Sequence, residues 1–289
     1  MTLSRPEVLR LLRENRISPS RALGQNFVTD PNTVRRIARL AGVGPFDKVV
    51  EVGAGLGSLT LALAETGATV VAIERDRRLV PVLRQVLADR SPAATVTVVE
   101  ADATKLVWDA LLVPPERWAL VANLPYNVAT PLVADLLDGV PAIERMLVMV
   151  QREVAERLVA RPGDDAYGAV SVKVAYWAEA VLVGTVPSSV FVPRPKVGSA
   201  LVSITRRPAP ALPACVVAPE DLFRVVRAGF AQRRKMLRRA LAGLPVPPAL
   251  FAEAGVEPEA RAEQLSVQDW GRLAAAIAGH AANGPGEPA

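Results

Sequence analysis

The stretch Glu51-Val52-Gly53-Ala54-Gly55-Leu56-Gly57-Ser58 decides how the rest of the chain is read. It is entered through Lys48–Val52, a short run of mostly β-branched residues that reads as a buried strand. Three alternate glycines follow, which let the backbone turn tightly and let a ligand approach with no side chain in the way. Ser58–Glu65 then has a helical pattern, and the first N–H groups of a helix have no partner inside it. Strand, glycine turn and helix together predict the first unit of a nucleotide- or nucleoside-binding α/β domain.

The same alternation continues outward. Ala68–Ile73, Thr95–Val99, Trp118–Asn123 and Glu144–Gln151 read as further strands, with helices over Asp76–Asp89, Glu153–Ala160 and Gly168–Trp177. Ala180–Val186 and Ser199–Thr205 read as two late strands. This predicts an α/β fold: a Rossmann-like, mostly parallel seven-stranded sheet with helices on both faces. Ligands of such sheets bind at the carboxyl ends of the strands. Arg207–Pro219 is proline-rich and reads as a linker. Helical patterns follow over Asp221–Leu241, over Pro248–Ala254 and after the N-cap Ser266, so a small all-helical C-terminal domain is expected. The expected division is 1–207 for the sheet domain and 220–282 for the helical domain, with a disordered tail at Asn283–Ala289.

Composition removes several chemistries. The 289 residues hold one cysteine, Cys215, and one histidine, His280. No intrachain disulfide and no Cys/His zinc site can form, and no metal is expected. A Ser-His-Asp or Cys-His arrangement is excluded because His280 stands among Gly, Ala and Pro near the end of the chain. No apolar run suits a signal peptide or a membrane span, so a soluble cytoplasmic protein, expected to be a monomer, is indicated.

Charge points to a polyanionic partner. The window 220–245 alone carries the net charge of the whole chain, +5. At 100° per residue, Arg224, Arg227, Arg234, Lys235, Arg238 and Arg239 fall within an arc of roughly 140° on one continuous helix. Leu222, Phe223, Val226, Phe230, Met236 and Leu237 take the other side. A cationic stripe of this kind contacts phosphates and supplies position and affinity; the competing reading is a solvated helix face. Arg233 falls on the apolar side, so either the helix is interrupted near Gly229 or Arg233 reaches across to another element. Residues 1–25 add a second basic cluster, with Arg5, Arg10, Arg13, Arg16 and Arg21.

Three further strand ends carry polar groups. Glu74 ends the second strand, about 20 residues after the glycine turn, where an acid can accept both hydroxyls of a ribose. An NAD-binding unit shares that much, but Ser58 stands where the dinucleotide pattern wants its last glycine. Glu100-Ala101-Asp102-Ala103 follows the third strand; Asp102 can accept from an adenine amino group, and the next backbone N–H can donate to a ring nitrogen. The pocket so outlined is nucleoside-shaped.

The fourth strand ends in Asn123-Leu124-Pro125-Tyr126. An adenine amino nitrogen is a weak nucleophile because its lone pair is delocalised into the ring. An acceptor amide on Asn123 and the carbonyl of Leu124 can each take one of its N–H groups and free the lone pair for in-line attack on a sulfonium methyl. Pro125 stiffens the loop so that the acceptors stay aimed, and Tyr126 offers a face for an extruded base. Phe191, in a proline-rich loop, reads either as a second stacking face at the rim of the target-base site or as ordinary packing.

With these residues in hand, the chain resembles the small-subunit (16S) ribosomal RNA adenine N6,N6-dimethyltransferases, the kasugamycin-resistance family, from about Arg21 to Ala275. The matching pieces include Leu23-Gly-Gln-Asn-Phe27, Glu51 to Gly57, Ile73-Glu-Arg-Asp76, Asp102-Ala103, Asn123 to Thr130, Gln151 to Arg157, Tyr167-Gly168, Phe191 to Val197 and Phe230 to Leu237. Val28, Leu23 and Ala54 replace the family's usual leucine, phenylalanine and proline. The resemblance implies S-adenosylmethionine as methyl donor. It places Gln25, Asn26 and Val28 over the cofactor, Gly53 and Gly55 beside its methionine part, Glu74 at its ribose, Asp102 and Ala103 at its adenine, and Asn123 between cofactor and target amine. It implies dimethylation of two adjacent adenines near the 3′ end of 16S rRNA, in the small subunit or its precursor. Two readings compete: an N6-adenine methyltransferase acting on large-subunit rRNA or on DNA, and a ribosome assembly factor whose catalysis is secondary.

Overall fold

The computed structural model describes residues 2–20, 22–91, 95–113, 115–125, 128–244 and 246–282, so the tail expected to be disordered lies outside the described residues. The strands are β1 (Phe27–Val28), β2 (Lys48–Val52), β3 (Thr69–Glu74), β4 (Val96–Glu100), β5 (Trp118–Asn123), β6 (Ile143–Gln151), β7 (Ala178–Val186), β8 (Phe191–Val192) and β9 (Ser199–Arg206). The helices are α1 (Arg5–Glu14), α2 (Pro31–Ala41), α3 (Ser58–Ala64), α4 (Leu79–Arg90), α5 (Trp108–Leu111), α6 (Ala129–Gly139), α7 (Arg152–Val159), α8 (Ala169–Trp177), α9 (Pro219–Ala231), α10 (Leu237–Ala240), α11 (Pro248–Glu253) and α12 (Val267–Ala282). No helix among the described residues is long and apolar enough to cross a membrane.

Seven strands form one sheet in the order β4-β3-β2-β5-β6-β9-β7, and β1 pairs with β8 in a two-stranded sheet of its own. The pairs from β4 to β6 are parallel; β9 runs antiparallel to β6. The predicted sheet is thus the one observed, with strand ends moved by at most two residues. The long apolar runs explain it: Val49, Val50, Val70, Val71, Leu120 and Val121 are all buried, as strands covered on both faces must be.

The chain divides into two compact units: Met1–Ala155 with Val181–Arg206, and Glu156–Ala180 with Arg207–Ala289. The division expected at residue 207 therefore differs by one excursion. Tyr167, Val172 and Tyr176 are buried in the same cluster as Phe223, Leu237 and Trp270, which draws 156–180 to the C-terminal helices.

In the first unit, α2 and α3 bury Val34, Ile37, Leu59 and Leu63 against Val49, Val121 and Leu147. Helices α1 and α4 meet in a second cluster through Val8, Leu12, Leu79 and Leu83. The glycine turn is braced beneath by Glu51, which is fully buried and accepts a 2.6 Å hydrogen bond from Thr60 Oγ1 on α3. Burial pushes the Glu51 carboxyl up to about 8, against the pull of that hydrogen bond. Arg206, at the end of β9, closes the far end of α6: it donates to the carbonyls of Leu137 (2.9 Å), Leu136 (3.1 Å), Val140 (3.3 Å) and Ile143 (3.1 Å). Leu137 O is a last-turn carbonyl without a helical N–H, since Pro141 has none to give, and a cation there complements the helix dipole.

In the second unit α9 crosses α12 at Gly229, where a Cβ would run into the Trp270 ring. Tyr167 donates from its hydroxyl to Leu265 O at 2.9 Å, and burial raises its phenol. The helix expected over 221–241 is broken. It stops at Ala231, turns through a Lys235 N to Gln232 O bond of 2.8 Å, and resumes as α10 only after Met236, which bridges to Arg261. Arg233 supplies a physical reason: on a continuous helix it would face the apolar side. In the break it reaches Glu263 (Nε to Oε2, 2.6 Å) and the carbonyl of Asp165 (2.6 Å).

Two outcomes test this packing. Gly229→Ala overpacks the α9/α12 crossing and should cost about 1–3 kcal/mol, seen as a lower Tm, whereas Gly243→Ala, with open space around it, should leave Tm in place. Glu51 binds its proton more tightly folded than unfolded. Its contribution is full below the ordinary carboxylate range and is lost as pH rises through about 8. Glu51→Gln should therefore flatten the fall of Tm between 4.5 and about 8; thermal melts with the same pH slope in both proteins would refute it.

Candidate active site

The parallel register sets the site. Val52 lies opposite Ile73, Ile73 opposite Val99, and Glu74 opposite Glu100, so the strands end level with one another. A cavity opens at those ends within the first unit. Its lining includes Gln25, Asn26, Val28, Gly53, Gly55, Glu74, Asp102, Ala103, Asn123, Leu124 and Pro125, so the residues expected around the cofactor and most of those expected around the target base meet at one place. Tyr126 lies outside the described residues.

The glycine turn is closed by Gly53 N and Ala54 N, which both donate to Ile73 O, at 2.9 and 3.2 Å. Gly53 has φ 77° and Gly57 φ 89°, conformations that a side chain resists. At Gly57 a Cβ would also press on Leu83 of α4, at 2.8 Å.

Glu74 is buried, and each carboxylate oxygen accepts one backbone N–H at 2.7 Å, Oε2 from Gly55 and Oε1 from Asp76. Burial raises its pKa, and those backbone donors oppose the rise. The two bonds fix the carboxylate at the edge of the cavity. Asp76 is held down to about 2, first by the Arg78 guanidinium and also by Gln25, with burial acting against both.

The side chain of Gln25 is spent on structure. Its Oε1 accepts from Ser20 N (2.7 Å) and its Nε2 donates to Asp76 Oδ2 (2.8 Å), so it ties the N-terminal segment to the end of β3. Asp102 caps its own turn: Oδ1 accepts from the Thr104 hydroxyl (2.7 Å) and backbone N–H (3.1 Å), and Oδ2 faces Arg75 Nη1 at 3.3 Å. Those Thr104 bonds, chiefly the hydroxyl, lower its pKa despite partial desolvation. The Asp-x-Thr spacing is the signal that could have shown this in advance; the Gln25–Asp76 link, between residues 51 apart, left no such local sign.

Asn123 ends β5 with its amide nitrogen donating to Asn26 O at 3.0 Å. That bond fixes which way round the amide lies and leaves Oδ1 as the acceptor. Leu124 is buried, and its N–H donates to Met149 O (3.1 Å). Pro125 O accepts from Val128 N and Ala129 N, each at 3.1 Å, so the loop runs into the first turn of α6.

Phe191 corrects the expectation of a rim position. Its ring is fully buried, packed in the cluster of Val34, Ile37 and Leu201, and its backbone pairs with Val28. An aromatic enclosed by aliphatic side chains on β8 leaves no face for a base. In the second unit Arg224, Arg227, Arg234, Lys235, Arg238 and Arg239 are all exposed, but on two short helices and the turn between them. Arg224 pairs with Asp221 at 2.9 Å and Arg238 faces Glu259 at 3.7 Å. No cluster suited to a metal ion occurs among the described residues.

Known proteins share both the sequence and the fold. The protein named ribosomal RNA small subunit methyltransferase A in Kineococcus radiotolerans is 51% identical over 99% of this chain and 95% of its own length. Its namesake in Thermobifida fusca is 50% identical, covering 94% of this chain and 95% of that protein. Among solved structures, a dimethyladenosine transferase from Plasmodium falciparum shares the fold, with a TM-score of 0.72 at 24% identity over 86% of this chain and 95% of that one. The 23S rRNA methyltransferase ErmE aligns with a TM-score of 0.63 at 30% identity, over 87% of this chain and 99% of its own. The model of the ribosomal RNA adenine dimethylases matches residues 18–279, nearly everything from the N-terminal segment to α12, and the chain belongs to that family.

Proposed function

We propose that this chain transfers methyl groups from S-adenosylmethionine to the N6 amino groups of two adjacent adenines near the 3′ end of 16S rRNA, acting in the cytoplasm as a monomer on the small subunit or its precursor. The observation that carries the chemistry is the Asn123–Asn26 hydrogen bond, which leaves the Asn123 amide oxygen as an acceptor at the cavity. The curated relatives, about half identical over nearly the full chain, carry the choice of the small subunit.

The cavity fits an adenosine-bearing cofactor. Glu74 offers a fixed, buried carboxylate for a diol, Asp102 an acceptor beside the Ala103 backbone, and the glycine turn a wall with no side chains. When bound, the cofactor supplies an electrophilic methyl group on a sulfonium. The chain's own part is to hold the target amine. Asn123 Oδ1 and the Leu124 carbonyl each accept one amino N–H, which draws the nitrogen toward tetrahedral geometry and exposes its lone pair. The loop keeps them aimed, because Leu124 N is anchored on β6 and Pro125 O on α6. Apolar lining from Phe27, Val28, Leu124 and Leu132 excludes water from a step in which positive charge is dispersed. The exposed arginines and Lys235 of α9 and α10 and the turn between them bind RNA phosphates.

The first experiment is transfer of labelled methyl groups to unmethylated small ribosomal subunits, with mass spectrometry of the digested rRNA. Dimethyladenosine at two neighbouring positions near the 3′ end supports the proposal. Transfer to large-subunit rRNA instead would move the substrate to that named for ErmE, and tight subunit binding with no transfer anywhere would leave an assembly factor. Asn123→Ala should lower kcat by about 10²-fold or more while RNA affinity is retained in a filter-binding assay. Reversing charge at Arg234, Lys235 and Arg238 together should weaken RNA binding and flatten its dependence on log salt, by up to about 0.7–0.9 per lost phosphate contact; an unchanged slope would remove the stripe from the interface.

A further inference from the structure

The first unit carries a second cationic surface on the end of β7 and the segment that links it to β8. Three arginines from distant parts of the chain converge on it. Arg36 of α2 donates from Nη1 to Thr185 O at 3.1 Å. Arg5, at the start of α1, donates from Nη1 to Ser189 O at 3.2 Å. Arg194 donates from Nε to Ser188 Oγ at 3.0 Å. All three are exposed, and none forms an ion pair among the described residues. Several other arginines of this unit meet carboxylates: Arg35 with Glu65, Arg77 with Glu100, Arg117 with Glu144, Arg145 with Asp47. Here the anchors are neutral oxygens, which orient a guanidinium without cancelling its charge and leave most of its five N–H donors unspent.

The surrounding sequence keeps acids away. No Asp or Glu stands between Glu179 and Glu220, which covers the whole anchoring segment and the Arg194 loop. Gly184 adds an independent sign. Its φ is not in the left-handed region, yet a Cβ there would occupy the place of the Arg36 guanidinium. With glycine at 184, the Arg36 guanidinium lies directly over the strand backbone.

This surface is joined to the active site through the small β1/β8 sheet. Val190 O accepts from Thr29 N (2.8 Å) and from the Thr29 hydroxyl (2.9 Å), Val28 pairs with Phe191, and Asn26 O holds the Asn123 amide. At about 3.3 Å per residue, the three steps from Asn26 to Thr29 span roughly 10 Å. Planar guanidiniums held apart on one backbone segment suit the spaced, monovalent anions of a nucleic-acid strand.

We propose that Arg5, Arg36 and Arg194, mounted on Gly184–Ser189, bind the phosphate backbone of the rRNA next to the target adenines, as a contact of the catalytic unit separate from the basic residues of α9 and α10. This rests on the reading that RNA is the substrate. The test compares the full-length chain with the triple variant Arg5→Gln, Arg36→Gln, Arg194→Gln and with the matching triple lysine variant. Methyl transfer to unmethylated small subunits and filter binding to protein-free rRNA are both followed across a salt series. The glutamine variant should raise KM for subunits about tenfold with kcat within about twofold, and lower the salt slope by about 2–3 for three lost contacts. The lysine variant should restore most of the slope. Gly184→Ala should raise KM in the wild-type background and add nothing in Arg36→Ala.

An unchanged KM and slope in the glutamine variant, with wild-type transfer intact, would overturn this surface and leave the methyltransferase reading standing. Loss of affinity for subunits but not for protein-free rRNA would also overturn it, since the partner would then be a ribosomal protein. A reduced slope on rRNA in a chain whose wild type transfers no methyl groups would support the surface and refute the proposed reaction.

Discussion

Parallel pairing of β2, β3, β4 and β5 in near-identical register brings four strand ends to one level, and that constraint places Glu74, Asp102 and Asn123 around one cavity. A carboxylate at the end of β3 can reach the turn after β2 only because Val52 and Ile73 are partners. Glu74 makes use of this: its two bonds to Gly55 N and Asp76 N join two crossover loops to one rigid group. Buried without those donors, the carboxylate would lose hydrogen bonds it makes in water; with them it is held in one orientation at the cavity.

The N-terminal segment completes what the sheet begins. Gln25 ties it to Asp76, Asn26 O receives the Asn123 amide, and β1 fastens it to β8. One short stretch of chain thus touches the end of β3, the acceptor loop after β5 and the arginine-bearing segment before β8. It sets geometry: the Asn123 amide nitrogen is engaged by Asn26 O, which leaves Oδ1 as the acceptor of this cavity-lining residue. Placement of Gln25, Asn26 and Val28 in that wall gives a physical content to residues that local sequence reading could only assign by resemblance.

The two units use charge differently. Around the sheet several arginines are paired with carboxylates, whereas Arg206 and the arginines at Thr185–Ser189 are anchored on neutral oxygens. In the helical unit the basic residues are exposed on two short helices, and the one cation that would have faced the core, Arg233, is drawn off to Glu263 by a break in the helix. A long amphipathic helix and a broken one present the same exposed residues, which is why the stripe was legible while its scaffold was not.

Local patterns in the sequence specify the sheet and gather its polar strand ends at one cavity. Strand runs such as Trp118–Asn123, the glycine turn and the acids at strand ends are local patterns, and their consequences are local too. What only the tertiary structure decided were contacts between residues far apart: Gln25 with Asp76, Asn123 with Asn26, Arg36 with Thr185, and the membership of 156–180 in the helical unit. Phe191 belongs to the same class, since an aromatic near a proline-rich loop looks alike whether it lines a rim or fills a core. Which it does depends on what the rest of the chain packs around it, and that is set by burial across the whole fold, with no trace in the neighbouring residues.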